Sequence, residues 1–181
     1  MKTATKGITA RGLFEVMRFA LPLMAVMAGV VAFLFILKLV PPAIEKEEQT
    51  FATIDQAEKA IGRKVVLPAY FPDFLSWPPS QIRGKGQPNA WIALSVNSGE
   101  QKDALTIEEW FFPQTEPSPP KVPSIEKTQT QVDGTAASLL VWQEGGVTYR
   151  RIYWTEGGML VSITSLGSLE ELSKIAQSVH P

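Results

Sequence analysis

The longest apolar run of the chain lies close to its N-terminus. Residues 19–37 carry no charged side chain, and a helix of that length rises about 28 Å, close to the thickness of the hydrocarbon core of a bilayer. Lys38 follows and can extend its amine to the lipid headgroups, and Pro41 and Pro42 end the helix. The pattern predicts a transmembrane helix over residues 19–40.

The charges before this run predict its orientation. In residues 1–18 a single acidic residue, Glu15, stands against the basic residues Lys2, Lys6, Arg11 and Arg18. The positive-inside rule therefore predicts a short cytoplasmic tail over residues 1–18 and an extracytoplasmic remainder. A signal peptide cleaved after Ala28 is the alternative, but the apolar run continues to Leu37, which favours an uncleaved, single-pass anchor in the cell membrane.

Helix signals flank the part of the chain that follows a predicted tether over residues 41–51. Thr53 and Gln56 have capping-box spacing, which predicts a helix over residues 54–61 that stops at Gly62. Ser168 and Glu171 have the same spacing before a second helix. Its apolar stripe consists of Leu169, Leu172, Ile175, Ala176 and Val179. We expect one domain over residues 52–181.

Alternating apolar and polar positions predict antiparallel strands between these helices. Residues 91–98 and 104–112 read as a hairpin, and three further strands near residues 136–143, 147–155 and 159–165 are separated by Glu-Gly-Gly turns. Met159, Val161 and Ile163 are expected to face the core. The adjacent pairs Glu108–Glu109 and Arg150–Arg151 must each split between the two faces, and we expect a carboxylate partner for one of the arginines.

Prolines interrupt this pattern in two places. Val65 to Leu67 predict a short strand, after which Pro68, Pro72, Pro78 and Pro79 are expected to exclude regular structure. Residues 84–89, GKGQPN, predict a turn. The segment from Pro113 to Gln131 predicts an exposed extended connection, and its docking in the aromatic groove of a partner is the other interpretation. The fold class is α+β, with roughly five or six strands.

Three segments carry a resemblance to a known family: VVLPAYFPDF (Val65–Phe74), DGTAASLLVWQEGGVTYRRI (Asp133–Ile152) and SLEELSKIAQSV (Ser168–Val179). Over most of residues 52–180 the chain resembles an uncharacterised extracytoplasmic domain family found after the membrane span of anti-sigma-factor-like bacterial envelope proteins. That family is similar to the lipoprotein-carrier fold. The resemblance implies a curved antiparallel sheet packed with helices from each end of the domain.

The same resemblance limits what can be carried over from the family. Such relatives often have a cytoplasmic sigma-factor-binding domain before the span, and residues 1–18 are too short for one. The family has no shared catalytic residues.

Composition excludes several classes of function. Residues 41–181 hold 12 Lys and Arg against 17 Asp and Glu, a net charge of −5, which argues against a nucleic-acid partner. The chain has no cysteine, and His180 is its only histidine. Thiol chemistry, cysteine metal sites and histidine-based triads are therefore excluded. We expect no enzyme activity, no cofactor and no metal.

Aromatic residues give the candidate binding site. By alternation Trp91, Trp110 and Trp142 fall on the strand face opposite the core, so that a second apolar face is predicted. One interpretation is a partly open groove there that binds a lipid, a peptide or an envelope protein, with its mouth lined by the loop residues Tyr70, Phe71, Phe74 and Trp77. The other is that helices cover both faces and that these loop residues pack in the core. The predicted function is a non-catalytic, membrane-anchored module, sensory or accessory. The alternative is a structural tether or complex subunit whose domain is fully packed.

Overall fold

The computed structural model describes residues 24, 26–31, 35, 47–99, 101–112 and 116–179. The chain divides into two compact units, residues 1–44 and residues 45–181. In the first unit the described residues are helical. Among the described residues no helix has the length and apolarity needed to cross a bilayer. The predicted tail, most of the predicted span and the start of the predicted tether lie outside the described residues.

The second unit is one antiparallel sheet of eight strands with two helices on it. In chain order its elements are β1 (Gln49–Phe51), α1 (Ile54–Ile61), β2 (Ser76–Lys85), β3 (Trp91–Ser98), β4 (Gln101–Trp110), β5 (Ile125–Val132), β6 (Thr135–Glu144), β7 (Val147–Glu156), β8 (Met159–Ser165) and α2 (Leu169–Gln177). The predicted antiparallel sheet with a helix towards each end is confirmed, and so are the bounds of α1 and the strand pattern of β3, β6, β7 and β8.

The order of the strands in the sheet is β1-β2-β3-β4-β8-β7-β6-β5. Strands β1 to β4 form one meander and β5 to β8 form another, and the two join where β4 pairs with β8 from Leu105–Ser165 to Trp110–Leu160. The segment between β4 and β5 must therefore travel from the middle of the sheet to its far edge.

Local signals determine the two helices. The Thr53 side chain accepts a hydrogen bond from the Gln56 N–H, and Gly62 ends α1 with a φ of 76°, a conformation that glycine adopts without strain. The Ser168 side chain caps α2 by accepting from the Glu171 N–H. Both helices pack on one side of the sheet, which we call the helix-covered face. Its core includes Ile61, Leu94, Ile107, Trp154, Val161, Ile163, Leu172 and Ile175, each at most 2% exposed.

The opposite side of the sheet, the second face, carries its own apolar cluster, as predicted. Leu140, Trp142, Tyr153 and Leu160 are buried there, with Trp110, Val122, Ile125 and Tyr149 packed against them. The cluster is covered by the connection between β4 and β5. Val122 contributes to the cluster, Pro117 is buried, and the Ser118 carbonyl accepts a hydrogen bond from Arg151 at 2.9 Å. The prediction of an exposed connection over residues 113–131 is confirmed for most of residues 116–124 and wrong for Pro117 and Val122, which pack on the sheet.

The number of strands exceeds the prediction because three strands lack a strong local pattern. Strand β1 lies inside the predicted tether, and all of β5 except Val132 lies inside the predicted connection. Strand β2 runs through Pro78 and Pro79, where we expected no regular structure. The prolines are tolerated because β1 pairs only with residues 82–84 and the ladder with β3 is irregular between Ser76 and Gln81. The predicted strand at Val65–Leu67 is wrong, whereas the turn at GKGQPN is confirmed.

Candidate functional site

Four exposed side chains gather at one end of the sheet. Among the described residues between 47 and 179, the large apolar side chains that remain exposed are Tyr70 (37%), Phe74 (48%), Trp77 (45%) and Leu169 (44%). We call these four residues the aromatic patch. Patches of this kind on a folded domain mark interaction sites. Three of the four were predicted as site residues from the sequence, and Leu169 was predicted only as part of a helix stripe.

Strand geometry and α2 bring the patch together. Trp77 lies near the start of β2, and Leu169 is the first residue of α2. Phe74 lies against Gly167, because its ring would be 3.7 Å from a Cβ added there. The Tyr70 hydroxyl donates to the Glu171 carboxylate at 2.8 Å, and this hydrogen bond raises the pKa of Tyr70. The patch is therefore shared between the loop and α2.

The loop that carries the aromatic side chains is fixed at its backbone. The Ala69 N–H donates to the Ser178 carbonyl at 3.0 Å, and the Tyr70 N–H donates to the Ser178 hydroxyl at 3.1 Å. Pro68 forms a β-bridge with Val179. Because the loop is held at consecutive residues, little conformational entropy remains to be lost when a partner binds the patch.

Phe71 packs between the aromatic patch and the core. It packs against the core of the helix-covered face, and its ring centroid lies 4.7 Å from that of Trp77. Phe71 is half-buried, so its role differs from that of its three neighbours in the predicted site. It positions Trp77 and contributes less exposed surface than Tyr70, Phe74 or Trp77.

A buried carboxyl group holds the start of the same loop. Glu109 is fully buried on the helix-covered face and accepts from the Val66 N–H at 3.0 and 3.3 Å. Burial raises its pKa to about 8, against the opposing effect of this hydrogen bond, and nearby Glu58 raises it further. Glu58 accepts from the Val65 N–H at 3.0 Å and pairs with Lys64, whose hydrogen bond lowers the pKa of Glu58.

The structural role of Glu109 was not predicted, although the alternation of residues along β4 contains the information needed for it. The expected split of Glu108 and Glu109 between the two faces is confirmed. Since Leu105 and Ile107 face the core, alternation also places Glu109 inward. An inward glutamate in an otherwise apolar row needs a hydrogen-bonding partner, and the Val66 N–H, which lies outside any strand, is the donor.

The second face combines aromatic and charged groups. Trp142 stacks on Tyr149 with ring centroids 5.3 Å apart, and the Arg151 guanidinium lies 5.3 Å from the centroid of the Trp142 ring. Trp91 and Trp110 are register partners on β3 and β4. Burial raises the pKa of Glu108, while the charges of Arg151 and Arg83 act in the opposite direction.

The two arginines of β7 do split between the faces, and the charge of Glu108 acts on Arg151, but the expected salt bridge does not form between them. Arg150 donates to the Gly167 carbonyl at 2.8 Å, and Arg151 donates to the Thr164 hydroxyl at 2.9 Å in addition to Ser118. Among the described residues neither forms an ion pair. Carbonyl and hydroxyl oxygens accept these hydrogen bonds, which tie β7 to the segment before α2 and to the β4–β5 connection.

The seven predicted site residues do not form one groove. Tyr70, Phe71 and Phe74 lie in the loop before β2, whose Phe71 packs on the helix-covered face, and Trp77 lies in β2 beside Phe71. In contrast, Trp91, Trp110 and Trp142 lie on the second face. Trp142 is 6% exposed and Trp91 and Trp110 are half-buried. The aromatic patch is the more accessible of the two groups. Within the described residues no three acidic or imidazole side chains meet in an arrangement that could hold a metal ion.

Comparison with known proteins finds no matching family model, no matching curated protein and no matching solved structure.

Proposed function

We propose that this chain is a single-pass, membrane-anchored, extracytoplasmic and non-catalytic module that recognises an envelope protein through its aromatic patch. One observation carries the proposal: the exposed large apolar side chains described in residues 47–179 are few and lie together at one end of the sheet. Trp and Tyr are the side chains that dominate binding energy at protein interfaces.

Packing favours a protein partner over a hydrophobic ligand held inside the domain. A ligand of that kind needs apolar space between the helices and the sheet. Here the space is filled by side chains such as Ile107, Ile163 and Leu172, each fully buried. A contact at the domain surface requires no rearrangement of this core, and the loop that carries Tyr70 is already held by its hydrogen bonds to Ser178, the residue after α2.

The anchor and the envelope location rest on the sequence. The apolar run over residues 19–37 and the basic residues before it support a transmembrane helix with the N-terminus in the cytoplasm. The resemblance to the extracytoplasmic family points to a bacterial envelope. Membership of that family belongs to the proposal, together with its sensory or accessory role.

Topology can be tested because the chain has no cysteine. Two single-cysteine variants of the full chain, Thr5→Cys and Gln143→Cys, are treated in intact cells with a membrane-impermeant maleimide. We expect labelling at position 143 without lysis, and at position 5 only after lysis. Labelling of both positions in intact cells, or of neither, contradicts the proposed topology.

Partner recognition is tested by placing a photo-crosslinking phenylalanine analogue at Phe74 in the full chain, in cells that naturally carry it. Thr155 is the matched control position because it is exposed and pairs with Leu160, at the opposite end of β8 from Ser165 and the patch. We expect one discrete adduct from position 74, none from position 155, and loss of the adduct when Leu169→Asp is added. Equal adducts from both positions, or an adduct unaffected by Leu169→Asp, refute recognition through the patch.

The same experiment distinguishes the proposed function from the alternative, which is a structural tether or complex subunit with a fully packed domain. The filled core of the helix-covered face favours this alternative. A tether needs no partner at the aromatic patch, so it predicts no specific adduct from position 74 while the topology result stays the same.

A further inference from the structure

The two edges of the sheet are protected to very different degrees. At one edge β1 is only three residues long and covers residues 82–84 of β2. The rest of β2 on that side contains Pro78, Pro79 and an irregularity before Gln81. A short edge strand, prolines and bulges are the usual means by which proteins prevent strands from pairing with other chains.

The other edge, β5, has almost none of these protections. All eight of its residues pair with β6 in an uninterrupted register from Ile125–Trp142 to Val132–Thr135, without a proline or a bulge. Residues 126–129 are exposed, and so is Gln131. In the part of the chain that the structure describes, the only backbone hydrogen bonds of β5 are those with β6.

The hairpin geometry shows which backbone groups point outwards. Asp133 and Gly134 form a two-residue turn with positive φ at both positions, 47° and 80°. In such a turn the flanking residues, Val132 and Thr135, form a hydrogen-bonded pair, and pairs of this kind alternate along the ladder. The N–H and C=O groups of Lys127, Gln129 and Gln131 therefore point away from β6.

We propose that the β5 edge pairs antiparallel with β5 of a second copy of this chain, which joins the two sheets into one. A twofold axis perpendicular to the sheet keeps the helix-covered faces of both copies on the same side. In the register with Gln129 opposite its own copy, Thr128 lies opposite Thr130 of the second copy and Lys127 lies opposite Gln131. Roughly six backbone hydrogen bonds form, two for each outward-facing pair.

The side chains of β5 are compatible with antiparallel pairing to β5 of a second copy. This register places Thr opposite Thr on both sides of the axis, a favourable cross-strand pair, and opposes no like charges. Lys127, the charge that would oppose pairing most directly, is already bound to Glu116 at 2.6 Å. The remainder of the strand from Thr128 to Val132 is uncharged. A different register that brought Lys127 opposite Lys127 of the second copy would place two positive charges together. The charge pattern therefore favours the register centred on Gln129.

Cysteine cross-linking tests this geometry directly. The variant Gln129→Cys places two thiols across the twofold axis, where the Cα atoms of a hydrogen-bonded pair are about 5.5 Å apart, within reach of a disulfide. Gln143→Cys, exposed at the end of β6, is the control. In native membranes under mild oxidation we expect the Gln129→Cys variant to form a disulfide-linked dimer at least about tenfold faster than the Gln143→Cys variant, because paired thiols react at a high effective concentration.

A second pair of variants distinguishes strand pairing from other kinds of contact. Gln129→Pro removes an N–H that β6 does not use, so the monomer should keep its fold and its tryptophan emission while the dimer is lost. Gln129→Ala keeps this N–H and should keep the dimer. The full chain in detergent, followed by light scattering over a concentration series, reports both. A dimer that survives Gln129→Pro, equal cross-linking at positions 129 and 143, or cross-linking of the Gln129→Cys variant only to a different protein overturns the proposal.

Discussion

Glu109→Gln is expected to remove a large part of the pH dependence of stability. Glu109 pairs in register with Ile92 on β3 and Val161 on β8, so its carboxyl group lies among apolar side chains. Glutamine keeps an oxygen that can accept from the Val66 N–H and has nearly the same shape. The substitution therefore changes ionisation and leaves packing almost intact.

The raised pKa of Glu109 determines how the free energy of unfolding changes with pH. Burial raises the pKa of Glu109 from 4.5 to about 8, so that between these values the folded chain holds a proton that the unfolded chain has lost. The stabilising effect of this proton is complete below the unfolded pKa and declines as the pH rises towards 8. From this group alone we expect the free energy of unfolding to fall by about 2–3 kcal/mol between pH 5 and pH 7.

Urea unfolding of the full chain in detergent, followed by tryptophan emission, measures this effect. All five tryptophans lie between positions 77 and 154, so the signal reports on the sheet. The two chains should be similar at pH 5, and the glutamine variant should be more stable by about 3–4 kcal/mol at pH 8. Glu144→Gln removes an exposed carboxylate as the control. Parallel pH profiles for wild type and Glu109→Gln would refute the assignment of Glu109 as the titrating group.

Three further substitutions test the packing around the site. Gly84→Ala should lower the free energy of unfolding by about 1–3 kcal/mol in the same urea assay, because the new Cβ would lie 2.8 Å from the Trp91 carbonyl oxygen. Unchanged stability would contradict this close approach. Arg151→Ala removes the hydrogen bond to Ser118 and should speed limited proteolysis within residues 113–124, whereas an unchanged cleavage rate argues against this role. Ser178→Ala removes the hydroxyl that accepts from the Tyr70 N–H, and it should change the emission of Trp77, which packs against Phe71 of the same loop. An identical emission spectrum would show that other contacts hold the loop.

The elements that could be predicted from sequence carry their own local signals. The caps at Thr53 and Ser168 define both helices, and paired glycines with positive φ, such as Gly145 and Gly146, define the hairpin turns of the second meander. Each of these signals acts over a few residues. They therefore remain readable without knowledge of the fold.

The missed strands are defined by their neighbours. Strand β1 is three residues that extend because β2 is beside them. Strand β5, IEKTQTQV, lies at an edge with exposed positions on both faces, so hydrophobic alternation is weak. In β2 the prolines signalled a loop, and only the unpaired stretch of the ladder explains why a strand tolerates them.

The candidate site was predictable as a set of residues and not as a surface. The aromatic side chains of the loop were identified, but the hydrogen bond from Tyr70 to Glu171 joins the loop to α2 across positions that are far apart in the sequence. Trp91, Trp110 and Trp142 were correctly placed opposite the core, yet the loop packs on the other side of the sheet. Which face a loop covers depends on the path of the chain, and periodicity within strands contains no information about it.

The join between the two meanders also has a consequence for binding. On the sheet the meanders meet at the β4–β8 ladder, and on the helix-covered face they meet where the loop bonds to α2. The aromatic patch draws Tyr70, Phe74 and Trp77 from the first meander and Leu169 from the second. It exists only while the two halves are docked.

Binding and docking are therefore thermodynamically linked. A partner that recognises all four side chains binds the docked arrangement and not the separated halves, so at a concentration about 100-fold above its Kd it would stabilise docking by about 2.7 kcal/mol. Conversely, any change that opens the β4–β8 ladder would release the partner without touching the patch. Affinity at this surface would then report whether the two halves of the domain are assembled.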